Sequence, residues 1–351
     1  MEKKYFEIYQ AIKDGILSGE YPAGSKLPSK RSVAERRGCS VITVETAYGM
    51  LLEEGYIRSR ERSGYFVEKF DAVKRVGAPS FKREVVELPT AISEPDFEYS
   101  LWFKAIRKVL MEKGKELFVK APVKGCAVLR NAIADYLFRY RGMLADPNRI
   151  IIGSGAEQLY ETIVKILGRD KTFAIEKPCY EKIKSVYKSE AVSIAELTMG
   201  VDGIESDALA SKDFNVLHVT PFTSYPSGVT ASVVKRHEYL KWASENDGYI
   251  VEDDYASEFF TLRPIDTLYS LGGDRVIYIN TFSKSISPSL RIGYMILPKE
   301  LLSSYEKTAG GYSCSVPVLD QYVLAEFINS GGFERHLNRV RRRLKKDRKN
   351  D

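Results

Sequence analysis

Asn280-Thr-Phe-Ser-Lys284-Ser-Ile-Ser-Pro-Ser-Leu-Arg291-Ile-Gly293 sets one lysine just past an apolar run, among hydroxyls and ahead of an arginine. The run 276–280 reads as a buried strand, and similar runs precede it at 149–152, 172–175, 216–219 and 249–252. Helical patterns lie between them, for example at 157–167 and 233–245. Short strands alternating with helices predict an α/β domain with a largely parallel sheet. Ligands in such sheets sit at the carboxyl ends of the strands, where Lys284 falls.

Two more strand ends carry chemistry. Gly153-Ser-Gly-Ala-Glu-Gln158 leaves a strand and opens a helix, whose free N–H groups suit a phosphate. Alone, that turn also fits any tight strand-to-helix connection. Val251-Glu-Asp-Asp-Tyr255 ends a later strand with adjacent carboxylates, which alone equally fit a helix cap or a Mg2+ site. Together with Lys284 and Arg291, the set fits pyridoxal 5'-phosphate (PLP). A lysine amine forms a Schiff base with the aldehyde, a carboxylate keeps the ring nitrogen protonated, and hydroxyls with a guanidinium hold the phosphate. Asp253 then faces the ring nitrogen, Tyr255 lies near the ring hydroxyl, and Arg291 shares the phosphate with Ser283.

The chain begins differently. Tyr5, Ile8, Tyr9, Ile12 and Ile16 make one apolar helix face ending near Gly19. Ser29 caps a helix over 30–37 that Gly38 stops, and Ser40 caps another running to about Glu54. Val44, Ala47, Tyr48, Leu51 and Leu52 form the core face of that last helix. Two helices across a tight glycine turn, followed by two short strands with a basic tip over 55–67, read as a winged helix-turn-helix. The second helix would enter the major groove and expose Ser40, Val41, Thr43 and Thr46. Arg31, Arg58, Arg60 and Arg62 would reach phosphates or the minor groove. Residues 1–70 hold 12 Lys/Arg against 10 Asp/Glu, so charge alone equally permits a plain helical domain.

Bulk properties set the remaining bounds. At 351 residues the chain supports two or three domains. No apolar run approaches the ~20 residues that span a bilayer, and the polar N-terminus is no signal peptide, so a cytoplasmic protein is expected. Cys39, Cys126, Cys179 and Cys314 are scattered, as are His218, His237 and His336, which predicts neither a disulfide framework nor a metal site. The expected domains are a head over 1–69, a linker over 70–90, a large PLP-binding domain over 91–331, and a basic helix over 332–351.

The stretch from Pro22 to Ile57 resembles the GntR-type winged helix along its length. That resemblance implies DNA contacts at Ser29, Arg31, Ser40, Thr43 and the wing around Gly64. Val41 stands where that family often has arginine, which predicts an altered operator preference. Gly125 with Leu129-Arg130, Gly153 to Leu159, Glu176 to Tyr180, Thr220-Pro221 with Pro226 to Gly228, Glu252 to Phe259, and Asn280 to Gly293 resemble the fold-type I aminotransferases of class I and II. Joined to the head, they resemble the MocR-type transcriptional regulators.

The resemblance assigns the Schiff base to Lys284, the pyridine nitrogen to Asp253, the ring oxygen to Tyr255 and a ring stack to Tyr180. Ala156, Glu157, Ser283 and Arg291 are assigned to the phosphate. Thr223-Ser224 and Tyr225 depart from the family's usual residues beside the ring. It also implies a homodimer, operator DNA as partner, and an amino-acid or PLP effector. A member would continue past Asp351 into a small domain carrying the arginine for a substrate carboxylate; no residue here takes that role, so turnover is not expected. Three functions compete: a PLP-responsive regulator, an aminotransferase with a fused DNA-binding domain, and a DNA-binding protein whose PLP domain serves dimerisation.

Overall fold

A computed structural model describes residues 4–61, 63–69, 97, 99–210, 213–255, 257–260 and 266–350. Arg62 and the 70–90 linker lie outside the described residues. The chain divides into two compact units, residues 1–88 and 89–351. No described helix is long and apolar enough to cross a membrane.

The head holds α1 (Lys4–Ser18), α2 (Lys30–Arg37) and α3 (Val41–Glu53), then the hairpin β1 (Ile57–Arg60) and β2 (Gly64–Val67). Ser29 and Ser40 cap α2 and α3 by accepting from Ser32 N and Thr43 N, both at 3.2 Å. Gly38 ends α2 at φ 57°, a left-handed position that costs glycine little. Ile8, Tyr9, Ile12, Ile16, Val44, Ala47, Tyr48, Leu51, Ile57 and Val67 share one core. Tyr5 and Leu52, expected on those stripes, are only partly buried. The strands pair antiparallel, Ile57 opposite Val67 and Arg60 opposite Gly64, and the tip between them makes the wing.

The body is an eight-stranded sheet in the order β3-β10-β9-β8-β7-β4-β5-β6. Its strands are β3 (Ile150–Gly153), β4 (Thr172–Lys177), β5 (Ser193–Gly200), β6 (Gly203–Ile204), β7 (Val216–Val219), β8 (Tyr249–Asp253), β9 (Val276–Thr281) and β10 (Gly293–Ile296). The five central strands β5-β4-β7-β8-β9 run parallel. β10, which the apolar runs did not reveal, lies antiparallel between β9 and β3. Ile150, Ile152, Leu217, Ile250 and Tyr278 pack into one core, while Ile151, Phe173, Val216, Val251 and Ile277 pack into another. Successive strand residues face opposite sides, so a sheet covered on both faces needs the near-continuous apolar runs seen here.

Among the helices are α4 (Tyr99–Lys113), α5 (Ala127–Arg141), α6 (Ala156–Leu167) and α7 (Glu181–Ser189). Ala105 and Val109 of α4 are buried, while Leu110 is exposed. The helix Gly332–Asn350 buries Phe333 and Leu337 in the first of these cores.

Candidate functional site

The site forms where β3, β8 and β9 end. β9 runs into a single helical turn, Phe282–Ser285, which presents Lys284. The following loop folds back on that turn: Phe282 N donates to Ile292 O at 2.9 Å and Ser283 Oγ to Leu290 O at 3.0 Å. Arg291 is thereby returned to the end of β3, and its Nη2 donates to Glu157. Gly155 makes this approach possible. Its φ is 93°, and a Cβ there would stand 2.7 Å from Arg291 Nη2.

Ala156 and Glu157 open α6, so their N–H groups lie in its first turn, where an anion is favoured. Burial tends to raise the Glu157 pKa, but the hydrogen bonds from Arg291 and Lys182 hold it below the ordinary value. The Ser283 hydroxyl donates to Leu290 O and so fastens the loop that carries Arg291.

Asp253 ends β8, beside β9 in parallel register with Ile279 opposite. Tyr160, one helical turn beyond Ala156 on α6, donates its hydroxyl to Asp253 Oδ2. His218 Nε2 stands 3.7 Å from the same oxygen, and His218 Nδ1 is 2.7 Å from the Tyr187 hydroxyl. The other oxygen, Oδ1, is buried and has no hydrogen-bond partner among the described residues. A carboxylate oxygen withdrawn from water and left unpaired is costly, and it suits a ligand that brings an N–H donor. This is where the residues present fit a protonated pyridine nitrogen.

Lys284 Nζ lies 4.5 Å from the centroid of the Tyr255 ring. Surrounding protein withdraws the amine from water and lowers its pKa below the ordinary lysine value. That raises the share of neutral amine, the nucleophilic form. Tyr255 donates its hydroxyl to Thr223 O at 3.0 Å, which fixes the ring. Thr223 holds φ 57°, and the adjoining Ser224 donates to Glu176 Oε2 at 2.5 Å. Glu176 also accepts from Thr220 N at 3.0 Å. Burial pushes its carboxyl up to about 7 despite those two donors. Tyr180 is exposed at the start of α7, edge-on to Tyr225 with centroids 6.0 Å apart.

Lys284 and Tyr255 are therefore brought together, as are Glu157, Arg291 and the start of α6. Tyr160, His218, Tyr187 and Glu176 were not singled out from sequence as site residues. The histidine within Val216-Leu-His-Val219 was the available signal, since an ionisable ring in a fully buried strand needs a partner.

In the head, Arg31 and Arg60 are exposed, and Arg60 lies over the Phe66 ring at 4.9 Å. Gly64 turns the wing at φ 101°. Ser29 and Ser40 cap helices, and Thr43 Oγ1 bonds the Ser40 hydroxyl at 2.8 Å.

Residues 4–67 match the family described as bacterial regulatory proteins, gntR family, and residues 90–350 match aminotransferase class I and II. YdeL, an uncharacterized HTH-type transcriptional regulator of Bacillus subtilis (strain 168), is 34% identical over 98% of this chain and 77% of its own length. The probable rhizopine catabolism regulatory protein MocR of Rhizobium meliloti is 30% identical over 96% of this chain and 74% of its own. The crystal structure of an archaeal alanine:glyoxylate aminotransferase has a TM-score of 0.64 at 24% identity. It shares the fold over 69% of this chain and 63% of that one, so the chain spans less than two thirds of that enzyme. The chain belongs to the MocR-type regulators, DNA-binding transcriptional regulators that join a GntR-family helix-turn-helix to an aminotransferase-like domain.

Proposed function

We propose that this regulator holds PLP as a Schiff base on Lys284 and uses it to sense a small-molecule effector, either PLP itself or an amino acid. The observation that carries the reading is the buried, unpaired Oδ1 of Asp253 at the end of β8, beside the strand that leads to Lys284. PLP supplies an aldehyde for a primary amine and a ring nitrogen that works best when protonated.

The chain's own groups divide the labour. Tyr160 holds one oxygen of Asp253, with His218 Nε2 3.7 Å from the same atom, and the other oxygen stays available. Tyr255 flanks the amine and is assigned to the ring oxygen; Tyr180 is assigned to the ring face. The first N–H groups of α6, at Ala156 and Glu157, together with Arg291, offer an anion seat. Ser283 secures Arg291 from behind. Lowered basicity at Lys284 raises the share of neutral, nucleophilic amine.

The domain division proposed is a head over 1–69, a linker over 70–90, the PLP-binding domain over 91–331 and a basic helix over 332–351. Operator DNA is its macromolecular partner, the working species is a homodimer, and the place of action is the cytoplasm. A dimer supplies two heads for a repeated half-site.

Incubation with PLP followed by borohydride reduction tests the cofactor. Wild type should gain a visible absorbance band and, after reduction, a covalent adduct mapped to Lys284. Lys284→Ala should show neither. A wild type that gains no band and no adduct overturns the sensor reading and leaves the domain as a scaffold.

A further inference from the structure

Helix α3 shows an unusual outward face at its first turn. Val41 is 40% exposed and Ile42 is 74% exposed, side by side just after the Ser40 cap. Single exposed apolar residues are ordinary. Here, however, the polar groups around them are already engaged with one another. The Ser40 hydroxyl is bonded to Thr43 N and to Thr43 Oγ1. Thr46 Oγ1 donates to Ile42 O at 3.0 Å, and Glu45 is paired with Lys30 at 2.5 Å. What remains free on this turn is branched hydrocarbon, with exposed Arg31, Arg58 and Arg60 on the same small domain.

The residues at the start of a recognition helix are those nearest the base edges of the major groove. Only one base presents an apolar group there: thymine, through its C5-methyl. We propose that Val41 and Ile42 read thymine methyl groups, so that this regulator selects A·T pairs where the first turn of α3 meets the major groove. The arginines supply phosphate attraction that carries no sequence information. The proposal rests on the head binding DNA through α3, and it adds the chemistry by which that helix discriminates.

The test uses the full chain and duplexes selected by it from a random library. Each thymine of a selected duplex is replaced in turn by deoxyuridine, which deletes only the methyl. Wild type should lose about fourfold in affinity at each contacted thymine, the equivalent of ~0.8 kcal/mol for one buried carbon. Val41→Ala and Ile42→Ala should bind the thymine duplex more weakly and no longer distinguish it from the deoxyuridine duplex. Arg31→Ala should weaken both duplexes alike and flatten the salt dependence. Deoxyuridine duplexes bound as tightly as thymine at every position would overturn the proposal, and so would an undiminished thymine preference in both alanine variants. Failure to recover any preferred duplex would overturn sequence reading by the head altogether, which is a separate outcome.

Discussion

The two units place their polar chemistry on opposite sides of the surface. Among the described residues of the head, no charged side chain is buried, and its core is built from Ile8, Ile12, Val44, Leu51 and their neighbours. The body buries Glu176, Glu252, Asp253, Asp254 and Glu258 near the carboxyl ends of β4 and β8. A DNA-reading surface can therefore change residue by residue at little cost to folding. A ligand site made of buried charges cannot, because each group is held by the next. This contrast explains why α3 tolerates an unusual reading face while the body keeps an interlocked set.

The sharpest way to break the contrast is to unpair one buried charge. Arg141 Nη2 meets Asp254 Oδ2 at 3.0 Å, and Tyr278 donates to that oxygen at 2.8 Å. Asp254 is fully buried. Arg141→Met leaves the carboxylate without its counter-charge and should cost about 3–5 kcal/mol. Both tryptophans, Trp102 and Trp242, lie in the body, so their fluorescence reports its unfolding. The denaturant midpoint should fall steeply; a midpoint within experimental error of wild type would show that Tyr278 alone suffices.

The second test is pH, where two buried carboxyls of the body, Glu252 and Glu258, and Glu54 of the head carry opposite signs. Burial first, and then neighbouring Asp254, push Glu252 up to about 8 and Glu258 up to about 7. Their unfolded values are near 4.3. Between those values the folded state holds more protons than the unfolded state, so stability is full below pH ~4.3 and declines as pH rises toward 7–8. In the head, the hydrogen bond from Lys13 holds Glu54 below its ordinary value, so its contribution is lost as pH falls. Glu252→Gln removes the titrating group, keeps one of the two oxygens that accept from Leu268 N and Tyr269 N, and should flatten the decline. An unchanged slope in tryptophan-monitored unfolding would clear Glu252 of the effect.

A third test probes the turn between β3 and α6. Gly155→Ala adds a Cβ at φ 93° and sets it against Arg291. Strain of that kind costs on the order of 1–3 kcal/mol. Arg291 should be displaced from Glu157, and PLP should bind more weakly than to wild type while Lys284 remains able to form the adduct. Equal PLP affinity in the variant would remove Arg291 from the phosphate seat.

What could be read from sequence follows the range of each signal. Ser29, Gly38 and Ser40 act within four residues, and the helix ends they mark lie where expected. The strand runs are local too, and they fall within two residues of β3, β4, β7, β8 and β9. The partners of the site are not local. Tyr160 is 93 residues from Asp253, and Arg141 is 113 from Asp254, so no spacing rule joins them. β10 was hidden because Gly293–Ile296 directly follows a loop read for its chemistry. Periodicity marks the faces of a helix and not what covers them, which is why Tyr5 and Leu52 are only partly buried on their apolar stripes.

The smallest expected effect separates folding from reading at a single hydroxyl. Ser40 caps α3 by accepting from Thr43 N at 3.2 Å, and the same residue is expected to touch DNA. Ser40→Ala removes both roles and should cost about 1 kcal/mol, read as lost protection of the Thr43 amide from hydrogen exchange. Ser40→Asn keeps a capping oxygen and should restore that protection. If DNA affinity returns with it, the hydroxyl serves by setting the first turn of α3, which also aims Val41 and Ile42. If affinity stays low in Ser40→Asn, the hydroxyl itself meets the DNA, and the head places a polar contact beside its apolar ones.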